Sequence, residues 1–311
     1  MSSYSNILII KLSALGDVIQ ALGHMRAVRQ HFDKAKITLI TTKPYKDLLT
    51  ASGYADHVIC DTKPKFWQIG QWVDLRQKLT APDYDLVIDF QNNDRTKIYK
   101  ALMGKKPDWA ATHQGSKYHN SSHTKQNSHA VERHKETLKL LGITKLGHDD
   151  LSWIKPDTEF DIPGSAYALI VPGAAPSRPQ KKWPHQSYTE LCGFLLNKGI
   201  QPVLIGTKFE ENIGRFILCK FPNVTNLIEK TSLMDLPHLG RNAKIIIGND
   251  TGPMHIFGAT NSPCLTLFSR FSDPLKHRPR GASTHYLQTN DLESLSVESV
   301  QSKIGEIVNL S

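Results

Sequence analysis

Short apolar runs, each followed by a stretch with helical spacing, recur along the whole chain. In the first half this pattern predicts strands at 7–10, 37–41, 57–60 and 86–90, with helices over about 17–32 and 67–79. In the second half it predicts strands at 168–171, 202–205, 244–247 and 264–268. Helices are expected there over about 185–198, 210–221, 253–259 and 297–308. Short strands alternating with helices mean βαβ units, which build parallel sheets covered on both faces. Periodicity breaks over 149–165, around Pro156, Pro163 and Gly164, as proline and glycine dictate. The chain therefore reads as two domains, 1–155 and 156–311, with the final helix free to pack back on the first. The expected class is α/β, with two doubly wound parallel sheets facing each other across a cleft. Such sheets bind ligands beyond the carboxyl ends of their strands. That singles out the chain after Ile10, Phe90, Val171 and Ile247.

Composition narrows the class. Of 311 residues, 39% are hydrophobic and 22% charged, which fits a folded globular chain. No apolar run approaches the roughly 20 residues that a membrane span needs. The first ten residues have neither a basic segment nor a long apolar core, so no secretory signal is expected. Cys60, Cys192, Cys219 and Cys264 are widely spaced without a C-x-x-C pair; three lie in apolar surroundings, and the expectation is reduced, buried thiols. Lys and Arg outnumber Asp and Glu by 38 to 29, a net charge of +9. That suits nucleic acid, an acidic membrane surface or a phosphorylated substrate. The cations are dispersed and form no stripe interleaved with aromatics, which speaks against nucleic acid.

Three strand ends carry candidate chemistry. After the first strand the chain reads Lys11-Leu12-Ser13-Ala14-Leu15-Gly16-Asp17. Asp17 suits either a general base or an ordinary acidic residue favoured at a helix start. After 244–247 comes Gly248-Asn249-Asp250-Thr251-Gly252-Pro253-Met254-His255. Proline is tolerated at a helix start, and the unpaired N–H groups there suit a diphosphate, although an ordinary capped helix reads the same way. After 168–171 a loop concentrates Arg178, Lys181 and Lys182, either as a solvated basic loop or as cations placed to stabilise a leaving diphosphate. Residues 113–134 hold five histidines. His119 and His123 have a metal-like spacing, but their polar neighbours read as a loop, and no metal is expected. Neither G-x-G-x-x-G after a strand nor G-x-x-x-x-G-K-[ST] occurs, which weakens dehydrogenase and P-loop readings.

The ordered set of motifs resembles glycosyltransferase family 9, the lipopolysaccharide heptosyltransferases, over most of the chain. It consists of Ile7-Leu8-Ile9-Ile10-Lys11 with Leu15-Gly16-Asp17, Val87-Ile88-Asp89-Phe90-Gln91 with Arg95, and His129-Ala130-Val131-Glu132-Arg133 with Leu140-Leu141-Gly142-Ile143. Pro172-Gly173-Ala174, Lys181-Lys182-Trp183-Pro184, Gly206 with Glu210, and the segment Asn249 to His255 continue it. The resemblance implies a GT-B fold of two Rossmann-like domains, with the acceptor on the first and the nucleotide sugar on the second. It also implies an inverting, metal-independent transfer without a cofactor, typically from ADP-heptose to a lipopolysaccharide inner-core acceptor. By motif position Asp17 matches the catalytic base and Lys181 the lysine at the donor phosphates. Glu210 matches the acid at the donor's nucleoside, Asp250, Thr251, Gly252 and His255 the donor motif, and Ser177 a phosphate-loop hydroxyl. Ser13, Gln91 and Arg95 fall where the acceptor would bind.

The implied partners are an ADP-activated sugar, an acidic lipid-linked saccharide and the anionic inner-membrane surface. The implied location is cytoplasmic, peripheral on the inner face of the inner membrane. Two stretches depart from the family pattern. Ser269-Arg270-Phe271-Ser272-Asp273-Pro274 replaces a glycine-containing turn, and Asn92-Asn93-Asp94 adds polar residues after Gln91. Gly23 stands where many members have proline, a change expected to matter little. The alternatives are the same fold with another nucleotide sugar or another acceptor, an inactive homologue, or a nucleic-acid-binding protein.

Overall fold

The computed structural model describes residues 4–104, 106–121, 129–175 and 177–310. The chain divides into two compact units, Met1–Asp149 and Asp150–Ser311. The first contains β1 (Asn6–Ile10), α1 (Leu15–His31), β2 (Lys36–Thr41), α2 (Lys46–Ala51), β3 (His57–Cys60), α3 (Ile69–Thr80), β4 (Leu86–Asp89), α4 (Asp94–Met103), β5 (Asp108–Ala111), β6 (Tyr118–His119) and α5 (Ala130–Lys139). The second contains β7 (Tyr167–Val171), α6 (His185–Asn197), β8 (Gln201–Leu204), α7 (Glu211–Lys220), β9 (Thr225–Asn226), α8 (Asp235–Asn242), β10 (Ile245–Asn249), α9 (Gly252–Ala259), β11 (Cys264–Ser269), α10 (Pro274–His277), β12 (Thr284–Thr289) and α11 (Val297–Ile307).

Each unit forms one six-stranded sheet, in the orders β3-β2-β1-β4-β5-β6 and β12-β11-β10-β7-β8-β9. Every pairing is parallel. Both are the doubly wound order in which strand sequence reverses beside the first strand of the unit, leaving a crevice at the carboxyl ends. That switch lies between β1 and β4 in the first unit and between β7 and β10 in the second. The central strands are buried on both faces, so they read as unbroken apolar runs: Ile7 to Ile10 and Ile245 to Ile247 are all 0% exposed.

Two features of the packing bear on the sequence reading. The apolar side of α11 is occupied within its own unit, since Val297, Val300 and Ile304 belong to the second core and the helix packs on α6. Gly23 is a point of close approach: a Cβ there would overlap the Gly147 carbonyl. The 147–149 segment is fixed on α1 at that point. Arg26 Nη2 donates to the His148 carbonyl at 2.7 Å, and Tyr54 donates its hydroxyl proton to Asp149. Of the four thiols only Cys192 and Cys264 are buried; Cys60 is half-buried and Cys219 exposed. Burial pushes the Cys192 thiol up to about 12, which leaves it inert as a nucleophile.

Candidate active site

The switch point of the first unit holds a small polar cavity of ≈ 260 Å³, lined by Lys11, Asp17, Phe90, Gln91, Asn92, Thr112, Ala130, Arg133 and His134. Asp17 is the third residue of α1, half-buried, and its Oδ2 accepts from the Ala14 N–H at 3.4 Å. An acidic side chain in a first helical turn is stabilised by the helix dipole. Lys11 continues β1 and is 3% exposed. Burial pushes its pKa down, while Asp17 and Asp89 oppose that shift. The Phe90 carbonyl accepts from Lys11 Nζ at 3.2 Å and from His134 Nε2 at 3.1 Å. Burial also holds His134 well below its usual pKa, and its buried Nδ1 has no hydrogen-bond partner among the described residues.

The loop between β1 and α1 is held from β4. Gln91 Oε1 accepts the Leu12 N–H at 3.0 Å and the Ser13 N–H at 3.1 Å. Gln91 therefore reaches the cavity and also clamps the segment that precedes Asp17, whereas Ser13 takes part through its backbone. The polar residues after Gln91 build the turn. Asn92 has φ +50°, accepts the Thr112 N–H at 2.7 Å and donates to the Asp89 carbonyl at 2.5 Å. Asn93 caps α4, accepting the Thr96 N–H at 3.2 Å. Short amide side chains of this kind commonly close turns and helix starts. Buried Asp89 accepts the Gln91 and Asn92 N–H groups, both at 2.8 Å, and meets His113 Nε2 at 3.0 Å. A wider cavity of ≈ 970 Å³ shares Asn92 and Thr112 with the first and carries Lys97 and Lys100.

Arg95 is not among the residues that line the Asp17 cavity. It pairs with Asp61, a residue the sequence did not single out, and Asp61 also accepts from the Tyr99 hydroxyl at 2.5 Å. Burial alone raises the Asp61 pKa, but the hydrogen bonds from Arg95 and Tyr99 outweigh it and hold the carboxyl below its usual value.

The second unit has its candidate site at the β7/β10 switch. Asn249, the last residue of β10, is 0% exposed. Its Oδ1 accepts from the Trp183 N–H at 3.1 Å and the Tyr188 hydroxyl at 3.0 Å, and its Nδ2 donates to the Pro172 carbonyl at 2.7 Å. One buried amide thus ties together the chain after β7, the loop before α6 and the end of β10. Next to it, Lys181 is 7% exposed and donates to Asp250 Oδ2 at 2.5 Å. The Ser272 hydroxyl donates to the same oxygen at 2.6 Å. Ser272 comes from the 269–274 loop that departs from the family pattern; Asn249 opens the motif segment that runs to His255, but local spacing assigns neither residue a role of its own. An ammonium has three donors, so Lys181 retains capacity for an anion after pairing with Asp250.

Thr251 caps α9 through extended backbone without a side-chain cap bond, and Gly252 and Pro253 open the helix. A helix start of this kind is suited to anions. His255 is half-buried one turn in, and Ser177 is exposed on the loop before Lys181. Glu210 is 6% exposed and folds onto its own turn, accepting from the Thr207 N–H at 2.9 Å and hydroxyl at 2.8 Å. Its carboxyl lies against Gly173, where a Cβ would come within 3.0 Å of Cδ. Glu210 also lines a cavity of ≈ 800 Å³ with Pro172, Trp183, Phe209, Asn212 and Phe216, a size that accommodates a small organic ligand.

His119 Nδ1 donates to the His113 carbonyl at 3.0 Å; His123 lies outside the described residues. Among the described residues no group of three or more His, Cys, Asp or Glu side chains is arranged to hold a metal ion. No helix among them is long and apolar enough to cross a membrane.

Comparison with known proteins identifies the family and the fold. Lipopolysaccharide heptosyltransferase 1 of Escherichia coli (strain K12) is 26% identical over 280 residues, covering 84% of this chain and 87% of that protein. Among solved structures, a glycosyltransferase of family 9 from Veillonella parvula superposes with a TM-score of 0.81 at 18% identity, covering 99% of this chain and 98% of that one. The E. coli heptosyltransferase WaaC with ADP gives 0.76 at 24% identity, covering 97% and 100%. These neighbours share the GT-B fold. The family model described as glycosyltransferase family 9 (heptosyltransferase) matches residues 72–304, which includes every second-unit site residue named above and begins downstream of Asp17. The chain belongs to glycosyltransferase family 9 and is a glycosyltransferase.

Proposed function

We propose that the protein transfers heptose from ADP-heptose to an inner-core acceptor of lipopolysaccharide, with inversion at the sugar carbon and without a metal. The second unit binds the donor. Lys181 and the start of α9, with Asp250, Thr251, Gly252 and His255, face the diphosphate, and Ser177 joins from the loop. The ≈ 800 Å³ cavity with Glu210 takes the nucleoside. The first unit binds the acceptor at Ser13, Gln91 and the Asp17 cavity, with Arg95 fixing the neighbouring Asp61 turn.

A single displacement needs one base to take the acceptor hydroxyl's proton, and Asp17 has the right chemistry at the right strand end. As the acceptor oxygen bonds to the anomeric carbon, the bond to the diphosphate breaks. The leaving ADP then needs only positive charge fixed in advance, which Lys181 and a helix start supply. The observation that carries this reading is Lys181: a nearly buried ammonium, 2.5 Å from Asp250, beside an open helix start at a switch point. The names of the relatives support the choice of heptose and lipopolysaccharide. The excess positive charge suits an acidic, lipid-linked acceptor and a peripheral position on the cytoplasmic membrane face.

The test is thermal stabilisation by ADP, UDP, GDP, CMP and NAD at one salt concentration. A nucleotide at 100 times its Kd adds about 2.7 kcal/mol. Selective stabilisation by ADP is expected. A preference for UDP or GDP would overturn the heptose donor and favour a second reading, the same reaction with another nucleotide sugar. That alternative is motivated by Ser272, through which the unusual 269–274 loop reaches Asp250.

A further inference from the structure

We infer that the turn between β3 and α3 docks on an anionic lipid surface. Phe66 is 84% exposed, Trp67 59%, Ile69 72% and Val73 61%. Four large apolar side chains stand in water within eight residues, a concentration unlike the single scatter common on soluble surfaces. Phe66 and Trp67 pack edge to face with ring centroids 4.6 Å apart. Lys65 Nζ sits 5.0 Å from the Trp67 ring, and Lys63 is exposed two residues earlier.

The charge around the patch has one sign. From 62 to 73 there are two lysines and no acid. The flanking acids are neutralised, Asp61 by Arg95 and Asp74 by Lys78 at 2.6 Å. Indole and phenyl rings with adjacent lysines are the side chains that settle at a headgroup boundary, the rings in the interface and the ammonium groups on lipid phosphates. Complementarity to an anionic bilayer follows, whereas a protein partner of matching acidity would need to bury four apolar groups as well.

The turn is tied by its own hydrogen bonds, which lowers the cost of ordering the rings at a surface. Gln68 Oε1 accepts the Lys65 N–H at 2.7 Å, and Trp72 Nε1 donates to the Lys65 carbonyl at 3.1 Å. Arg95 in turn lies over Trp72, 5.4 Å from its centroid. The strand order also gives the turn its position. β3 is parallel to β1 and β4, so the loops after all three emerge at the same edge of the sheet. With strands about 4.8 Å apart, the β3 end lies roughly 10 Å from the end of β1, where the Asp17 cavity opens. A surface docked there brings a lipid-linked acceptor to that edge. This purpose rests on the proposed acceptor; the docking itself does not.

The test is sedimentation of the full chain with phosphatidylcholine vesicles, with and without 30% phosphatidylglycerol, at physiological salt and with neither donor nor acceptor present. Binding to the anionic vesicles is expected. It should drop by about tenfold or more in Phe66→Ser/Trp67→Ser and in Lys63→Glu/Lys65→Glu, with unchanged melting temperature and unchanged ADP affinity. Each lysine near such a surface contributes about fivefold. Wild-type protein that stays in solution, or variants that bind as well as wild type, would overturn the inference. So would self-association by light scattering that the aromatic variant abolishes in the absence of vesicle binding. Because ADP affinity is read separately, failure of docking and failure of the donor reading are distinct results.

Discussion

Lys181 and Asp250 are 69 residues apart in the chain and meet at 2.5 Å, with the Ser272 hydroxyl on the same carboxylate oxygen. The arrangement fixes a cation at the start of α9 without neutralising all of its donors. Replacing Lys181 by methionine keeps the apolar stem and removes the charge. A charge-assisted hydrogen bond contributes about 1.5–3 kcal/mol, so ADP affinity by calorimetry should fall by roughly 10- to 150-fold. Ser272→Ala should weaken ADP binding less, since Lys181 still holds Asp250.

Asp61 accepts from Arg95 and Tyr99 inside the first unit with its side chain 0% exposed. Removing one partner of a buried pair leaves the other uncompensated and costs about 3–5 kcal/mol. Asp61→Ala is expected to lower stability by about 3 kcal/mol in chemical denaturation, because Arg95 is partly exposed and recovers some hydration.

Gly23 admits no side chain against the Gly147 carbonyl. Gly23→Ala must push backbone away from backbone, which costs about 1–3 kcal/mol. An alanine variant as stable as wild type would show that the 147–149 segment yields freely.

His24 and His134 face each other with ring centroids 5.3 Å apart against Phe90. Burial pushes His24 down to about 4, the Gln20 carbonyl opposing only in part. The unfolded chain takes up this proton near pH 6.5 and the folded one only near 4. Stability is therefore full above about 6.5 and falls as the pH drops towards 4, by about 3 kcal/mol for His24 alone. Denaturant midpoints from pH 7.5 to 4.5 should show this decline, and it should be shallower in His24→Leu.

Much of the frame is legible in the sequence because buried parallel strands are unbroken apolar runs. The strands β1, β4, β7, β10 and β11 announce themselves this way. β5, with Asp108-Trp109-Ala110-Ala111, carries too little branched apolar character to be read, and β6 and β9 are two-residue edges. β12 alternates exposed and half-buried residues at a sheet edge, and α5 is dominated by charged residues around a narrow buried face. The same distinction holds for the sites. Asp17 and Asp250 stand next to strand ends and Lys181 in a basic loop before a helix, where local pattern marks them. Asp61, Asn249 and Ser272 gain their roles from partners 34, 61 and 22 residues away, and no local spacing encodes such a meeting. Arg95 illustrates the converse: its motif position is visible, but its commitment to Asp61 is a tertiary fact.

The central claim is that Asp17 takes the proton from the acceptor hydroxyl, and the most direct test is the turnover of Asp17→Asn measured beside its ADP affinity. Asparagine keeps the size and the helix position while removing the base. Turnover is predicted to fall by about 10²-fold or more with ADP affinity unchanged, since the proposed donor site draws on second-unit residues alone. Turnover near that of the wild type would contradict the account and remove Asp17 from the reaction.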